Sequence, residues 1–116
     1  MNIIELIKWQ SEGYAKFHRS KLNLWIHILA VPTFIIAFFS LIESVLTMDA
    51  LQFLYSFLLT IVAIVLQGIG HSKEVHPPEK FTGPVNTIMR ILLEQLYTFP
   101  KFVLSGDWFK AIRPNK

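Results

Sequence analysis

The residues of this chain best suited to chemistry are four histidines near the ends of two long apolar runs. They are His18, His27, His71 and His76. His27 lies inside an apolar run, where ionisable groups are costly and usually functional. If the two runs form an antiparallel hairpin, all four histidines fall at the same end of it. A single metal or catalytic site needs this arrangement, although each histidine alone could be an ordinary surface or loop residue.

The second apolar run ends in a stripe of polar residues. Gln67, His71 and Glu74 are spaced i, i+4 and i+7, which places them on one face of a helix. A histidine and a glutamate three residues apart can bind one ion, as in helix-bundle carboxylate sites. Imidazole and carboxylate ligands without a thiolate suit Fe(II), Zn or Mn.

If His18, His27 and His71 supply three ligands, Glu74 and His76 are the two candidates for the fourth. Glu74 shares the helical stripe of His71 and needs only one more turn of helix. His76 lies about 140° away from that face, so it reaches the ion only if the chain turns before Pro77. The stripe favours Glu74, and His76 is a ligand if the helix stops soon after His71.

The first two histidines can converge only if the chain bends between them. His18 and His27 are nine residues apart, so they would point to opposite sides of one continuous helix. Ser20 and Asn23 are both good N-cap residues for a new helix at this point.

Other polar residues could orient the ligands or bind a substrate. Tyr14, Asn23 and Gln67 are candidates for orienting the imidazoles through hydrogen bonds. Lys73 and Arg90 could pair with a substrate carboxylate. Arg90 and Glu94 are an i, i+4 pair on a predicted helix, and their polarity favours an interfacial or re-entrant helix there.

Composition excludes several classes of site. The chain has no cysteine, which excludes disulfides, thiolate catalysis and Cys-ligated zinc or iron–sulfur centres. It also has no Gly-rich nucleotide motif. Charged residues make up 16% of the chain, against about 25% in soluble domains. The net charge of +3 comes from residues that flank the apolar runs, which indicates a membrane protein and not a nucleic-acid-binding one.

The two apolar runs, residues 24–42 and 51–69, are the elements that must position the histidines. Each holds 19 residues, or roughly 28 Å of helix, which is close to the thickness of a bilayer core. The link 43–50 is short, so the two spans are antiparallel neighbours. Lipid or a second copy of the chain could cover the apolar surface of the hairpin.

Orientation follows from the basic residues. No Lys or Arg occurs between Lys21 and Lys73, so the positive-inside rule places both termini in the cytoplasm. The membrane would be the bacterial inner membrane, or the endoplasmic reticulum in a eukaryote.

Flanking helices complete the predicted fold. Residues 2–19 form an amphipathic surface helix with Asn2 as its N-cap and Glu5 three residues on. A third helix runs over about 85–99 and ends or kinks at Pro100. The tail 102–116 resembles an interfacial anchor. The prediction is an all-α fold: one integral membrane domain over 1–116, with a two-span helical hairpin, an N-terminal amphipathic helix and a C-terminal interfacial or re-entrant helix.

The joint spacing of these residues resembles the fungal 2-hydroxy fatty acid dioxygenase family and its bacterial relatives. The motifs are Tyr14-x3-His18-x4-Asn23-x3-His27-x4-Pro32, then Gln67-x2-Gly70-His71-x2-Glu74 and Pro77-Pro78, and the stretch 94–106, which is similar to the bacterial branch. The resemblance covers residues 14–106.

That resemblance implies an Fe(II)-dependent dioxygenase of fatty acid α-oxidation, which removes one carbon from a 2-hydroxy fatty acid with O2. His18, His27 and His71 match the family's histidines, Glu74 matches loosely, and His76 has no clear counterpart. The alternative is a non-enzymatic membrane interaction or anchor protein with structural histidines or a structural metal. A di-iron hydroxylase or desaturase fits less well, since those enzymes use more histidines in repeated clusters.

Overall fold

Helices make up most of the structure, a computed structural model that describes residues 2–113. They are α1 (Ile3–Phe17), α2 (Lys21–Leu46), α3 (Ala50–His71), α4 (Pro84–Leu93), a π-helical turn (Glu94–Thr98), α5 (Phe99–Leu104) and α6 (Asp107–Ile112). Residues 2–113 contain no strand, so the all-α prediction is confirmed. Residues 114–116, the end of the predicted tail, lie outside the described part of the chain.

The two longest helices, α2 and α3, form an antiparallel hairpin. At one end Asn23 lies against Gly70, and towards the other end the Ser56 hydroxyl donates to the Ser40 hydroxyl at 2.7 Å. Such polar contacts between small residues are typical of helices that pack in lipid. The hairpin link shortens to three residues, because α2 continues to Leu46 and α3 begins at Ala50.

Both hairpin helices are long and apolar enough to cross a membrane. Only 28% of the most apolar 18-residue window of each is buried within the chain. A core helix of a soluble protein would be mostly buried, whereas here large apolar side chains such as Leu29 and Ile36 are exposed. Exposure on this scale favours membrane association.

Local capping explains where the first helices begin. The Asn2 side chain accepts from the backbone N–H of Glu5 at 2.9 Å, which confirms Asn2 as the N-cap of α1. Ser20 caps α2 by accepting from the N–H of Asn23. The predicted bend between His18 and His27 is therefore made at Ser20, and Asn23 lies in the first turn of α2.

The C-terminal third differs from the prediction. The helical path does not end at Pro100 but continues through α5 to Leu104. Proline lacks the N–H of a regular helix and its ring collides with the carbonyl four residues earlier. The π-helical turn directly before it widens the helix and accommodates the ring. Trp108 is not an exposed interfacial anchor: it is buried against α2 and its Nε1 donates to the Leu24 carbonyl at 3.0 Å.

Gly70 allows the closest approach of α2 and α3, and we expect Gly70→Ala to destabilise the hairpin. An added Cβ would overlap Asn23 Oδ1 and lie 3.4 Å from the Asn23 Cα. Overpacking of this kind costs about 1–3 kcal/mol, which thermal unfolding in detergent would detect. Gly68→Ala is the matched control, because a Cβ there meets nothing within 4 Å among residues 2–113, and it should be at least as stable as the unsubstituted chain. Equal stability of the two variants would refute this packing argument.

Candidate metal centre

Three histidines and one glutamate converge where α1, α2, α3 and the π-helical turn meet. One ligand atom from each of His18, His27, His71 and Glu94 lies within 4.8 Å of the other three. The imidazole ring centroids are 4.8–5.0 Å apart. The structure brings the three predicted histidines together, and the fourth member of the group is Glu94.

Each side chain is placed by a particular feature of the backbone. His18 directly follows α1, where the chain turns into α2, and His71 is the last residue of α3. His27 lies in the second turn of α2 and is fully buried. Glu94 opens the π-helical turn and is 16% exposed. Turns of this type occur often at functional sites.

Backbone carbonyls set the orientation of two imidazoles. His18 Nδ1 lies 2.7 Å from the Tyr14 carbonyl oxygen, and His27 Nδ1 lies 3.0 Å from the Asn23 carbonyl oxygen. A carbonyl oxygen only accepts, so each Nδ1 carries the hydrogen and donates it. In the neutral rings this leaves Nε2 as a bare acceptor that points into the group, as in metal-binding histidines.

The arrangement brings acceptor atoms face to face. His18 Nε2 is 3.1 Å and His27 Nε2 is 3.3 Å from the same Glu94 oxygen, Oε2. Atoms that only accept repel one another unless a proton or a cation lies between them. Two ligand atoms that are each about 2.0–2.2 Å from one ion lie about 3–3.5 Å apart, so these two distances fit a shared metal ion, whereas the group as a whole, which spreads to 4.8 Å, would have to contract around it.

Two nitrogens of the group are buried without a partner. His27 Nε2 and His71 Nδ1 form no hydrogen bond with any residue of the described range 2–113. Buried polar atoms are nearly always paired, so such atoms call for an explanation. Both belong to the convergent group, and a metal ion bound by them would satisfy both.

Tyr14 holds Glu94 from the side of α1. Its hydroxyl donates to Glu94 Oε2 at 2.8 Å, and its ring stacks on His18 at 3.7 Å. Burial and the neighbouring Glu94 carboxylate raise the pKa of Tyr14 well above its usual value, so the hydroxyl stays protonated. Burial alone would raise the pKa of Glu94, but hydrogen bonds and charge from His18 and His27, which require a proton on each Nε2, lower it well below its usual range. In a metal-bound state the cation would take the place of those protons beside the Glu94 carboxylate.

Gln10 fastens α1 to the segment that carries Glu94. Its amide Nε2 donates to the Arg90 carbonyl at 2.9 Å, and its Oε1 accepts from the Thr98 hydroxyl at 2.5 Å. These two contacts lie on either side of Glu94 along the chain. One side chain of α1 thus holds the chain on both sides of Glu94.

Glu74 lies outside the group, contrary to the expected stripe on α3. Its carboxylate accepts from the backbone N–H groups of Arg19 and Ser20 at 2.8 and 3.0 Å and from Asn23 Nδ2 at 2.7 Å. Glu74 therefore caps the start of α2, where a carboxylate is favourable. The physical reason is that α3 ends at His71, so the following turn carries Glu74 off the helical face.

His76 also lies outside the group found in the described part of the chain. It is half-buried in the link that follows α3. Neither of the expected fourth ligands thus belongs to the group that the three histidines form.

The other predicted residues have mixed placements. Gln67 exchanges two amide hydrogen bonds with Gln95, at 2.7 and 2.9 Å, and this buried pair joins α3 to the π-helical turn. Asn23 orients His27 through its backbone carbonyl, whereas its side chain binds Glu74. Lys73 is exposed. It is not among the described residues that line the cavity beside the three histidines and Glu94, which is described below.

Arg90 lines that cavity, but its guanidinium is committed elsewhere. It lies 4.9 Å from the Trp9 ring centroid and 4.4 Å from that of Phe81. It also donates to the carbonyls of Glu79 and Lys80 at 2.9 and 3.1 Å. Arg90 therefore pins the link between α3 and α4 against α1, and its expected pairing with a substrate carboxylate stays a prediction.

A cavity of about 750 Å³ opens onto the group. Its inner end is formed by His18, His71 and Glu94, and its walls are largely apolar. The apolar wall residues include Trp9, Phe17, Ile64, Phe81 and Ile91. A cavity of this size and lining can hold a small amphiphilic ligand.

Glu94 is the site residue that sequence reasoning missed. Its spacing from Arg90 predicted an i, i+4 pair on the third helix, and Glu94 was therefore not considered as a member of the site. One signal was available: Glu94 is the single carboxylate in the sequence of the predicted helix 85–99, and ionisable residues within membrane segments are usually functional. No family model, curated protein or solved structure matches the chain.

Proposed function

We propose that this protein is a metal-dependent membrane enzyme, an Fe(II) dioxygenase that acts on 2-hydroxy fatty acids. One observation carries the metal site: buried acceptor atoms of three histidines and one carboxylate face a common point. The oxygenase chemistry rests on that donor set, on the apolar cavity beside it and on the resemblance of the sequence motifs. The donor set by itself also suits Zn or Mn.

The ligands would be His18, His27, His71 and Glu94. Three neutral imidazoles and one carboxylate give a 2+ ion a net charge of +1, which attracts an anionic substrate headgroup. Bound Fe(II) would supply open positions at which O2 and the hydroxy acid can meet.

The remaining residues act on these ligands and on the substrate. The carbonyls of Tyr14 and Asn23 keep two imidazoles in the tautomer that binds metal, and the Tyr14 hydroxyl steadies Glu94. The cavity walls exclude water from the reacting headgroup. The overall reaction, R-CHOH-COOH + O2 → R-COOH + CO2 + H2O, balances without an external reductant.

The proposed setting is a membrane with both termini in the cytoplasm, in a bacterial inner membrane or, in a eukaryote, the endoplasmic reticulum. The motivation is the absence of Lys and Arg between residues 21 and 73. Because the chain has no cysteine, a single introduced thiol reports its own side. We expect Lys8→Cys and Thr47→Cys to react with an impermeant maleimide from opposite sides of sealed vesicles. Labelling from the same side would contradict the hairpin orientation.

The function is tested by reconstitution of the tag-free protein. Metal-free protein in detergent is loaded anaerobically with Fe(II), mixed with 2-hydroxypalmitate and exposed to air. We expect stoichiometric iron, and release of CO2 together with a fatty acid one carbon shorter, read by mass spectrometry. A metal that binds tightly without turnover would support the alternative, an anchor protein with a structural metal. Failure to bind iron, zinc or manganese would refute the metal site.

A further inference from the structure

Gly68 lies on the wall of the cavity, one turn of α3 before His71. Ile64, Gly68 and His71 are spaced i, i+4 and i+7 and all three line the cavity. The path from Ile64 to His71 follows α3 for roughly 10 Å. This path joins the apolar face of a hairpin helix to the candidate metal centre.

No packing requirement explains a glycine at this position. A Cβ on Gly68 would meet nothing within 4 Å in the described range, and its backbone is helical without a positive φ. Gly70, by contrast, is required by the close contact with Asn23. Glycine inside a helix costs about 1 kcal/mol relative to alanine, so its presence at residue 68 calls for another reason.

We propose that Gly68 is a specificity-determining residue, which leaves room for the hydrocarbon chain of the substrate to lie along α3 with its headgroup at the His–Glu group. The inference rests on the proposed function and adds the path that the substrate's hydrocarbon chain follows in the cavity. The occupant is a single acyl chain, because the cavity combines a largely apolar lining with the polar His–Glu group that holds the ligand atoms. The exposed apolar surface of α3 continues this route towards lipid.

The charges that line the cavity support the same orientation of the substrate, with its carboxylate at the His–Glu group. The inner end would carry the metal ion. Of the two cations that also line the cavity, Arg90 is occupied by backbone carbonyls and aromatic rings, and Lys16 is exposed to solvent with its Nζ 5.4 Å from the Phe17 ring centroid. A carboxylate therefore has its best partner at the inner end. The hydrocarbon must then extend along the apolar lining, to which Gly68, Phe17 and Ile91 all belong.

Cysteine protection tests occupancy without reference to turnover. Gly68→Cys is compared with Val65→Cys, an exposed position of the same helix that does not line the cavity within the described residues. Both proteins, full-length in nanodiscs, react with N-ethylmaleimide with and without 2-hydroxypalmitate. We expect the acid to slow labelling of Gly68→Cys several-fold and to leave Val65→Cys unchanged. Equal protection at both positions, or at neither, would overturn the proposal.

A second variant tests selectivity between chain lengths. Gly68→Leu should lower kcat/KM for 2-hydroxypalmitate by roughly tenfold or more, as added bulk in an apolar pocket does, while iron content and kcat/KM for 2-hydroxybutyrate stay unchanged. Val65→Phe adds bulk outside the cavity and should change neither. If the unsubstituted protein turns over both acids and Gly68→Leu has no effect, only the route is refuted. If the unsubstituted protein turns over neither acid, the proposed function and this inference both fail.

Discussion

Glu94→Gln should remove most of the bound metal while the helical fold survives. Glutamine has the same shape but lacks the negative charge that offsets the ion, and its amide nitrogen cannot act as a ligand. Loss of residues that merely orient ligands lowers metal affinity about 10–100-fold, so loss of a direct ligand should lower it at least that much. The measurement is iron per chain by plasma emission spectrometry after dialysis, with circular dichroism to verify the helices.

Glu74→Gln is the matched control for that experiment. The amide oxygen can still accept from the N–H groups of Arg19 and Ser20. Its amide nitrogen would face Asn23, whose Oδ1 has no hydrogen-bond partner among residues 2–113 and can accept after a flip of the Asn23 amide. We expect Glu74→Gln to keep its metal. The opposite pattern, with metal lost from Glu74→Gln and kept by Glu94→Gln, would restore Glu74 as the ligand.

Removing the Glu74 side chain altogether should have a large effect on stability. Glu74→Ala deletes an anion that accepts two backbone N–H groups and the Asn23 amide at the start of α2. Hydrogen bonds to a charged group contribute about 1.5–3 kcal/mol each, and a buried donor left unpaired adds a penalty. Because Asn23 is fully buried, we expect a loss of about 2–4 kcal/mol in the free energy of unfolding.

The effect is measured on metal-free protein, so that loss of metal does not contribute. Chemical or thermal unfolding in detergent is followed by circular dichroism. Glu79→Ala is the control, because Glu79 is an exposed glutamate of the same link and should change stability by less than about 0.5 kcal/mol. Similar unfolding of the two variants would show that the Glu74 cap contributes little.

Hydropathy alone was enough to predict the hairpin. The runs 24–42 and 51–69 lie inside α2 and α3, since long apolar stretches have few alternatives to helix in a chain this small. The helices extend beyond the runs because Ser20 and Asp49 cap them outside the apolar segments. Helix ends depend on such local caps, which hydropathy does not record.

The three histidines were predictable for a different reason. Their place at one end of the hairpin follows from topology, which two apolar runs and a short link largely determine. That Glu94 joins the histidines while Glu74 caps α2 was not predictable from spacing. It depends on α3 ending at His71 and on the π-helical turn that points Glu94 inward, and both features arise from tertiary packing.

The π-helical turn also bears on which changes the sequence can tolerate. Its wider turn shifts the phase of every residue after it, and in this phase Phe99 and Phe102 pack against Tyr14. A deletion of one residue between 95 and 98 would leave every proposed ligand in the chain. It would nevertheless rotate the following segment by about 100°, taking Trp108 away from the Leu24 carbonyl. The length of this segment is therefore under tighter constraint than the identity of most of its residues. In homologous sequences we expect substitutions in this segment and not insertions or deletions.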